Sequence, residues 1–151
     1  MSPMYPAPRY SGVTRVPPAP PAADALSLLR VGLAAKNADW AEQLRSGLRQ
    51  LRADLHEHIA ATEGPDGLYD EVRRSDPRLA CAVSRLRREH GRLSAMLDDL
   101  NARASREPDD PADPGGMRPR VRELLKQWGS HRRRDNQLVY EAMSLDIGGQ
   151  D

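Results

Sequence analysis

Three stretches of this chain carry apolar residues on a helical stripe, and in each stretch a histidine occupies a place on that stripe. After Pro77, the positions Leu79, Val83, Leu86, His90, Leu93, Leu97 and Leu100 recur at alternating intervals of four and three. Near the end of the chain Val121, Leu124, Trp128, His131, Asp135, Leu138, Ala142 and Leu145 repeat the same alternation. In the middle, Leu44, Leu48, Leu51, Leu55, His58, Ile59 and Thr62 share one face at about 100° per residue. This period belongs to amphipathic helices and not to strands, and each stripe must be buried against another. His58, His90 and His131, with Asp135 one turn after the last, are therefore predicted to point into the interior of a bundle. His56 sits about 160° around the helix from His58 and is predicted to face water.

Composition agrees with helices. The chain has no Phe and only 4% aromatic residues, which leaves Leu, Ala and Val as core material. Its 151 residues suffice for one domain with a real core. With 23 basic and 22 acidic residues the formal charge is +1, so no global field draws the chain to nucleic acid or to an anionic membrane. Arg118, Arg120, Arg122, Lys126, Arg132, Arg133 and Arg134 make the last helix locally basic, but without interleaved aromatics they read as a solvated face. The single Cys81 excludes an internal disulfide and reads as a small buried hydrophobe beside its seam. No signal-type segment and no run of about 18 apolar residues is present, so a soluble cytoplasmic protein is expected.

Residues 1–22 hold seven of the 13 prolines and read as a disordered, partly polyproline leader that cannot be helical. The domain is expected over residues 23–151. A first helix is predicted from Asp24 to Lys36, with Leu26, Leu29 and Leu33 on one face and no histidine. Asp39 with Glu42 forms a capping box that opens a second helix to Glu63, broken by Gly64-Pro65-Asp66-Gly67. A short turn from Leu68 to Val72 leads to Ser75-Asp76-Pro77, a helix-start signature for a third helix reaching Ser105. The breaker-rich stretch from Pro108 to Gly116 precedes a fourth helix, Pro119 to Leu145. The expected fold is all-α, an antiparallel four-helix bundle.

Imidazole and carboxylate donors on facing helices suit iron, manganese or zinc. His58 is followed by Gly67-Leu68-Tyr69-Asp70-Glu71 and His131 by Leu138-Val139-Tyr140-Glu141, a weak internal echo. With the segments HIAATEGPDGLYDEV, RLRREHGRLSAML and HRRRDNQLVYEAMSLDIGGQD, residues 24–151 resemble the hemerythrin-like His-His-Glu cation-binding family of four-helix bundles that hold a non-haem di-iron centre. The resemblance implies one histidine from the first helix, a histidine and a bridging glutamate from the second, two histidines from the third, and a histidine and a bridging aspartate from the fourth. Carried over, His58 and Glu63 form the second-helix pair, His90 a third-helix ligand, and His131 with Asp135 the fourth-helix pair. The first helix supplies no histidine and the residue four after His90 is Ser94, so two nitrogen donors of that set are missing.

Glu63 follows His58 by five residues, which rotates it about 140° away on an ideal helix. A π-bulge would return it beneath the histidine; otherwise it frays into solvent before Gly64. Tyr69, Glu71, Tyr140 and Glu141 are candidates to supply missing ligands or to orient the histidines from outside. The implied cofactor is one or two non-haem iron ions, with manganese or zinc as alternatives. The implied role is binding or sensing oxygen or nitric oxide, or handling iron, with a metal ion and a diatomic gas as partners and no protein partner identified. No Gly-x-Ser-x-Gly or glycine-rich phosphate loop occurs, so redox chemistry at a bound iron is the only enzymatic route the residues suggest. The alternative is a metal-free helical interaction module, with His131 and Asp135 as a buried polar pair and the other histidines bonded to neighbours.

Overall fold

A computed structural model describes residues 20–34, 40–106 and 116–148, with side chains described from Ala25 and up to Ser144. Five α-helices appear in chain order: α1 Pro20–Ala34, α2 Trp40–Glu63, α3 Leu68–Ser75, α4 Ala80–Ala104 and α5 Met117–Gly148. Among the described residues there is no strand. The four long helices pack around the bundle in the order α1, α2, α4, α5, and the short α3 lies across one end of it against α2, α4 and α5. The proline-rich leader expected over residues 1–22 lies largely outside the described residues. Only its last three positions are seen, and they are helical, because Pro20 and Pro21 occupy the first turn of α1, where a missing N–H costs nothing. Asp39 and residues 107–115, which hold most of the stretch expected as a loop, also fall outside the described residues.

The seams pack as their spacing requires. Leu44, Leu48, Leu51 and Leu55 of α2, Leu93, Leu97 and Leu100 of α4, and Val121, Leu124 and Trp128 of α5 join Ala25 and Leu29 of α1 in one apolar cluster. A second cluster gathers Tyr69 and Val72 of α3 with Leu79, Val83, Leu86 and Leu138. On α4, Leu86 belongs to the second cluster and Leu93 to the first. On α5, Trp128 belongs to the first and Leu138 to the second. His90 and His131 thus form a polar layer between two apolar ones.

Glycines let α1 and α2 approach closely. A methyl group on Gly47 would stand 2.8 Å from Leu29 Cγ and Cδ2, and one on Gly32 would stand 2.9 Å from Leu44 Cδ2. In this antiparallel register α1 starts about level with His56, so it begins where the histidine layer lies. Gly47→Val is expected to destabilise the protein by about 1–3 kcal/mol through overpacking against the fully buried Leu29. The check is a lowered melting temperature with unchanged metal stoichiometry, since the substitution lies three turns from His58.

The stretch read as a turn from Leu68 to Val72 is instead helix α3, continuing to Ser75. Its own apolar face, Tyr69 and Val72, is buried against the end of the bundle, which stabilises a helix too short to persist alone. The turn before it holds Asp66 at φ 58°, a left-handed conformation that aspartate tolerates. At Gly67 a side chain would collide at 2.8 Å with the carbonyls of Gly64 and Thr62. Asp76 caps the 3₁₀ turn Pro77–Leu79, accepting from the Arg78 N–H at 3.1 Å, and α4 follows directly. Cys81 is exposed, not buried as expected. It stands two residues from both Leu79 and Val83, and at about 100° per residue that spacing turns it to the outside. Among the described residues no helix is long and apolar enough to cross a membrane.

Candidate metal centre

The seam histidines meet. The ring centroids of His90 and His131 are 4.7 Å apart, those of His58 and His90 5.0 Å, and those of His58 and His131 5.8 Å. One nitrogen from each ring falls within a group whose members all lie within 4.8 Å of one another. His90 and His131 are 2% and 3% exposed, whereas His58 is half-buried and forms the side of the cluster nearer to solvent. His56 is exposed on the opposite side of α2, as its phase predicts.

Asp135 joins the group at two points, Oδ2 lying 2.9 Å from His58 Nε2 and 3.9 Å from His131 Nε2. The 2.9 Å contact pairs His58 Nε2 directly with this carboxylate. The other oxygen of Asp135 accepts from the Tyr69 hydroxyl at 2.7 Å, and the same hydroxyl is 3.3 Å from His90 Nε2. Tyr69 is wholly buried, and burial first, then the Asp135 charge, pushes its phenol far above the ordinary range. It therefore stands in this arrangement as a neutral hydrogen-bond donor. Burial alone would raise Asp135, but its contacts with His58 and Tyr69 and the nearby His131 outweigh that and lower it.

Each buried imidazole is held from behind by a carboxylate. Glu63 Oε1 is 3.1 Å from His90 Nδ1, and Glu89 Oε1 is 3.4 Å from His131 Nδ1. The front nitrogens, His90 Nε2 and His131 Nε2, face each other at 3.1 Å. When the rear nitrogens carry the hydrogens that the carboxylates attract, two lone pairs point at one another across that gap. The rings do not escape by taking up protons: burial, followed by the neighbouring His131 and His58, pushes His90 down to about 3, and burial likewise lowers His131. Three converging imidazole nitrogens and an adjacent carboxylate make a donor set that fits a cation of borderline softness.

The charge balance points the same way. Arg134 grips Glu89 at both oxygens, with Nε–H at 2.8 and 2.7 Å and Nη2 at 2.6 Å from Oε2. Burial would raise the Glu89 carboxyl, but Arg134 and then His131 more than offset it and lower its pKa. Among the described residues, Asp135 and Glu63 have no arginine or lysine partner. The centre thus carries carboxylate charge that a bound cation would balance.

His58, His90, His131, Asp135 and Tyr69 are brought together, while the remaining sequence candidates are placed differently. Glu63 needs no π-bulge, because α2 stays α-helical to its end and the rotation that takes Glu63 away from His58 carries it toward α4, onto the outer nitrogen of His90. Tyr140 is 68% exposed, and Glu141 accepts from the Gln137 side chain on the outside of α5. Glu89 escaped the sequence reading, and the role of Arg134 was misread. Arg134 was read as part of a solvated face, yet it lies on the flank of α5 three residues after His131 and meets Glu89 across the α4–α5 interface. Opposite charges on the flanks of neighbouring seams were the signal available. The model of the hemerythrin HHE cation-binding domain family matches residues 22–143. Neither the curated proteins nor the solved structures contain a match to this chain.

Proposed function

Because the chain belongs to the hemerythrin HHE cation-binding domain family, we propose that it binds non-haem iron between α2, α4 and α5, as one or two ions, through His58, His90, His131 and Asp135. The observation that carries this reading is the convergence of three imidazole nitrogens within 4.8 Å, beside a carboxylate that has no arginine or lysine partner among the described residues. The histidines act as neutral nitrogen donors and Asp135 as the anionic one. Glu63 sits behind His90, and Tyr69 donates to Asp135 and fixes the direction of its remaining oxygen. Bound iron would supply reversible ligand binding and one-electron redox chemistry to a small diatomic molecule. Its physiological role, in the cytoplasm, is then to bind or sense oxygen or nitric oxide, or to handle iron; manganese and zinc suit the same donors less specifically.

The half-buried His58 is the cluster's most accessible ligand and lies on the side from which a small ligand would arrive. The missing histidine of α1 and Ser94 leave the site with two fewer nitrogen donors than the family pattern. Metal analysis of protein purified from iron-supplemented cells tests the proposal. About one to two irons per chain, with charge-transfer absorption in the near ultraviolet, are expected. Substoichiometric iron with no such absorption would overturn the proposal and leave the metal-free interaction module.

A further inference from the structure

Both buried imidazoles have a carboxylate behind them, but among the described residues only the one behind His131 is itself clamped by an arginine. Glu89 directly precedes His90 on α4, but the 100° turn between adjacent helical positions sends its side chain to the α4–α5 interface while His90 points into the seam. Glu89 is 7% exposed, and a buried carboxylate is costly unless it is paired and hydrogen-bonded. Arg134 meets both requirements with three contacts between 2.6 and 2.8 Å. Two oxygens fixed by a planar guanidinium cannot swing, so Oε1 stays where it meets His131 Nδ1. Arg134 itself approaches from a surface pocket between α4 and α5, which keeps the guanidinium partly hydrated and the pair less costly to bury.

Glu63 offers a useful contrast. It touches His90 Nδ1 at 3.1 Å, but it is half-buried and has no arginine or lysine partner among the described residues, so its carboxylate is not fixed in the same way.

We propose that Glu89, clasped by Arg134, is the positioning residue of His131: it holds the hydrogen on Nδ1 and leaves Nε2 bare toward His90 and Asp135. The inference rests on the reading of this cluster as a metal centre, but its first consequence, the tautomer of His131, exists without metal. A ring that flipped or changed tautomer would present a hydrogen to the cluster in place of a lone pair, and one donor would be lost.

The test uses the full chain, labelled with ¹⁵N and freed of metal, with long-range ¹H–¹⁵N spectra to read the His131 tautomer. Ferrous iron is then titrated in against a competing chelator without oxygen. The parent is expected to show a single tautomer with the hydrogen on Nδ1. Glu89→Ala is expected to lose that preference and to bind iron about 10–100-fold more weakly at unchanged stoichiometry. Glu89→Gln, which keeps an acceptor oxygen, is expected to retain most of the preference. Arg134→Met, which keeps the carboxylate but frees it, is expected to fall between them.

Parent-like tautomer and iron affinity in Glu89→Ala would overturn the inference. Should that variant not fold, an unchanged His131 spectrum in Arg134→Met overturns it equally. A parent that binds no iron yet shows the Glu89-dependent tautomer would sink the metal reading and leave the positioning role standing.

Discussion

His90→Ala abolishes the rise in melting temperature that ferrous iron gives the parent protein. A cation that binds only the folded chain stabilises it by about 4 kcal/mol at a thousandfold excess over its dissociation constant. In a domain of this size each kcal/mol moves the midpoint by about 2–4 °C, so a parent shift of about 8–16 °C is expected. His90 is central to the cluster, with Nε2 facing His131 at 3.1 Å and its ring within 5.0 Å of His58, so its loss removes a donor that no neighbour replaces. His131→Ala is expected to behave alike. His56→Ala, on the exposed face of the same helix as His58, should leave the iron-dependent shift intact. Thermal unfolding with ferrous iron and with chelator, under nitrogen, measures all three. Identical midpoints for the parent in both conditions would favour the metal-free module.

Acid destabilises the metal-free protein well before ordinary carboxylates titrate. An unfolded histidine protonates near pH 6.5. In the folded chain His90 is pushed down to about 3, by burial first and then by His131 and His58. Between those values the unfolded chain holds a proton that the folded chain refuses, so stability is complete above about pH 6.5 and falls as the pH drops toward 3. His131, lowered mainly by burial, acts in the same direction. Asp135 and Glu89, held below the usual carboxylate range despite burial, extend the loss at the acid end as they protonate. The loss between pH 7 and pH 4 is on the order of a few kcal/mol. Urea unfolding at stepped pH measures it, and His90→Leu, which replaces the ring with a side chain of the seam's own kind, should flatten the curve over that range. An unchanged pH dependence in His90→Leu would show that the buried ring is not its source.

Much of this arrangement is legible along the chain. The intervals of three and four through Leu79 to Leu100 and through Val121 to Leu138 define which side of α4 and α5 is buried, and His90 and His131 lie on those sides because they occupy seam positions. His56 and His58 differ in exposure for the same reason of phase. Glu63 was harder to read. Its five-residue offset from His58 is a fact about one helix, whereas its partner, His90, belongs to another. The same limit hid Glu89 and Arg134. Each sits beside a stripe and not on it, and only the approach of α4 to α5 brings their charges together. Tyr69 was recognised as a candidate from its place in a Leu, Tyr and Glu cluster, but the segment around it was read as a turn, since eight residues hold too little periodicity to distinguish the two.

Spacing along the chain dictates the helical period and the inward direction of His58, His90, His131 and Asp135, because each of these follows from the angular position of a residue on its own helix; the shortage of nitrogen donors emerges only against the pattern that the family resemblance implies. Tertiary structure alone decided which nitrogen of each ring faces its neighbours, that Tyr69 closes the cluster from α3, that Glu63 and Glu89 stand behind the imidazoles, and that Arg134 is drawn from a solvated face to an interface. Those outcomes depend on the rotation and spacing of one helix against another. Packing sets these by filling volume, and no periodicity within a single segment encodes them.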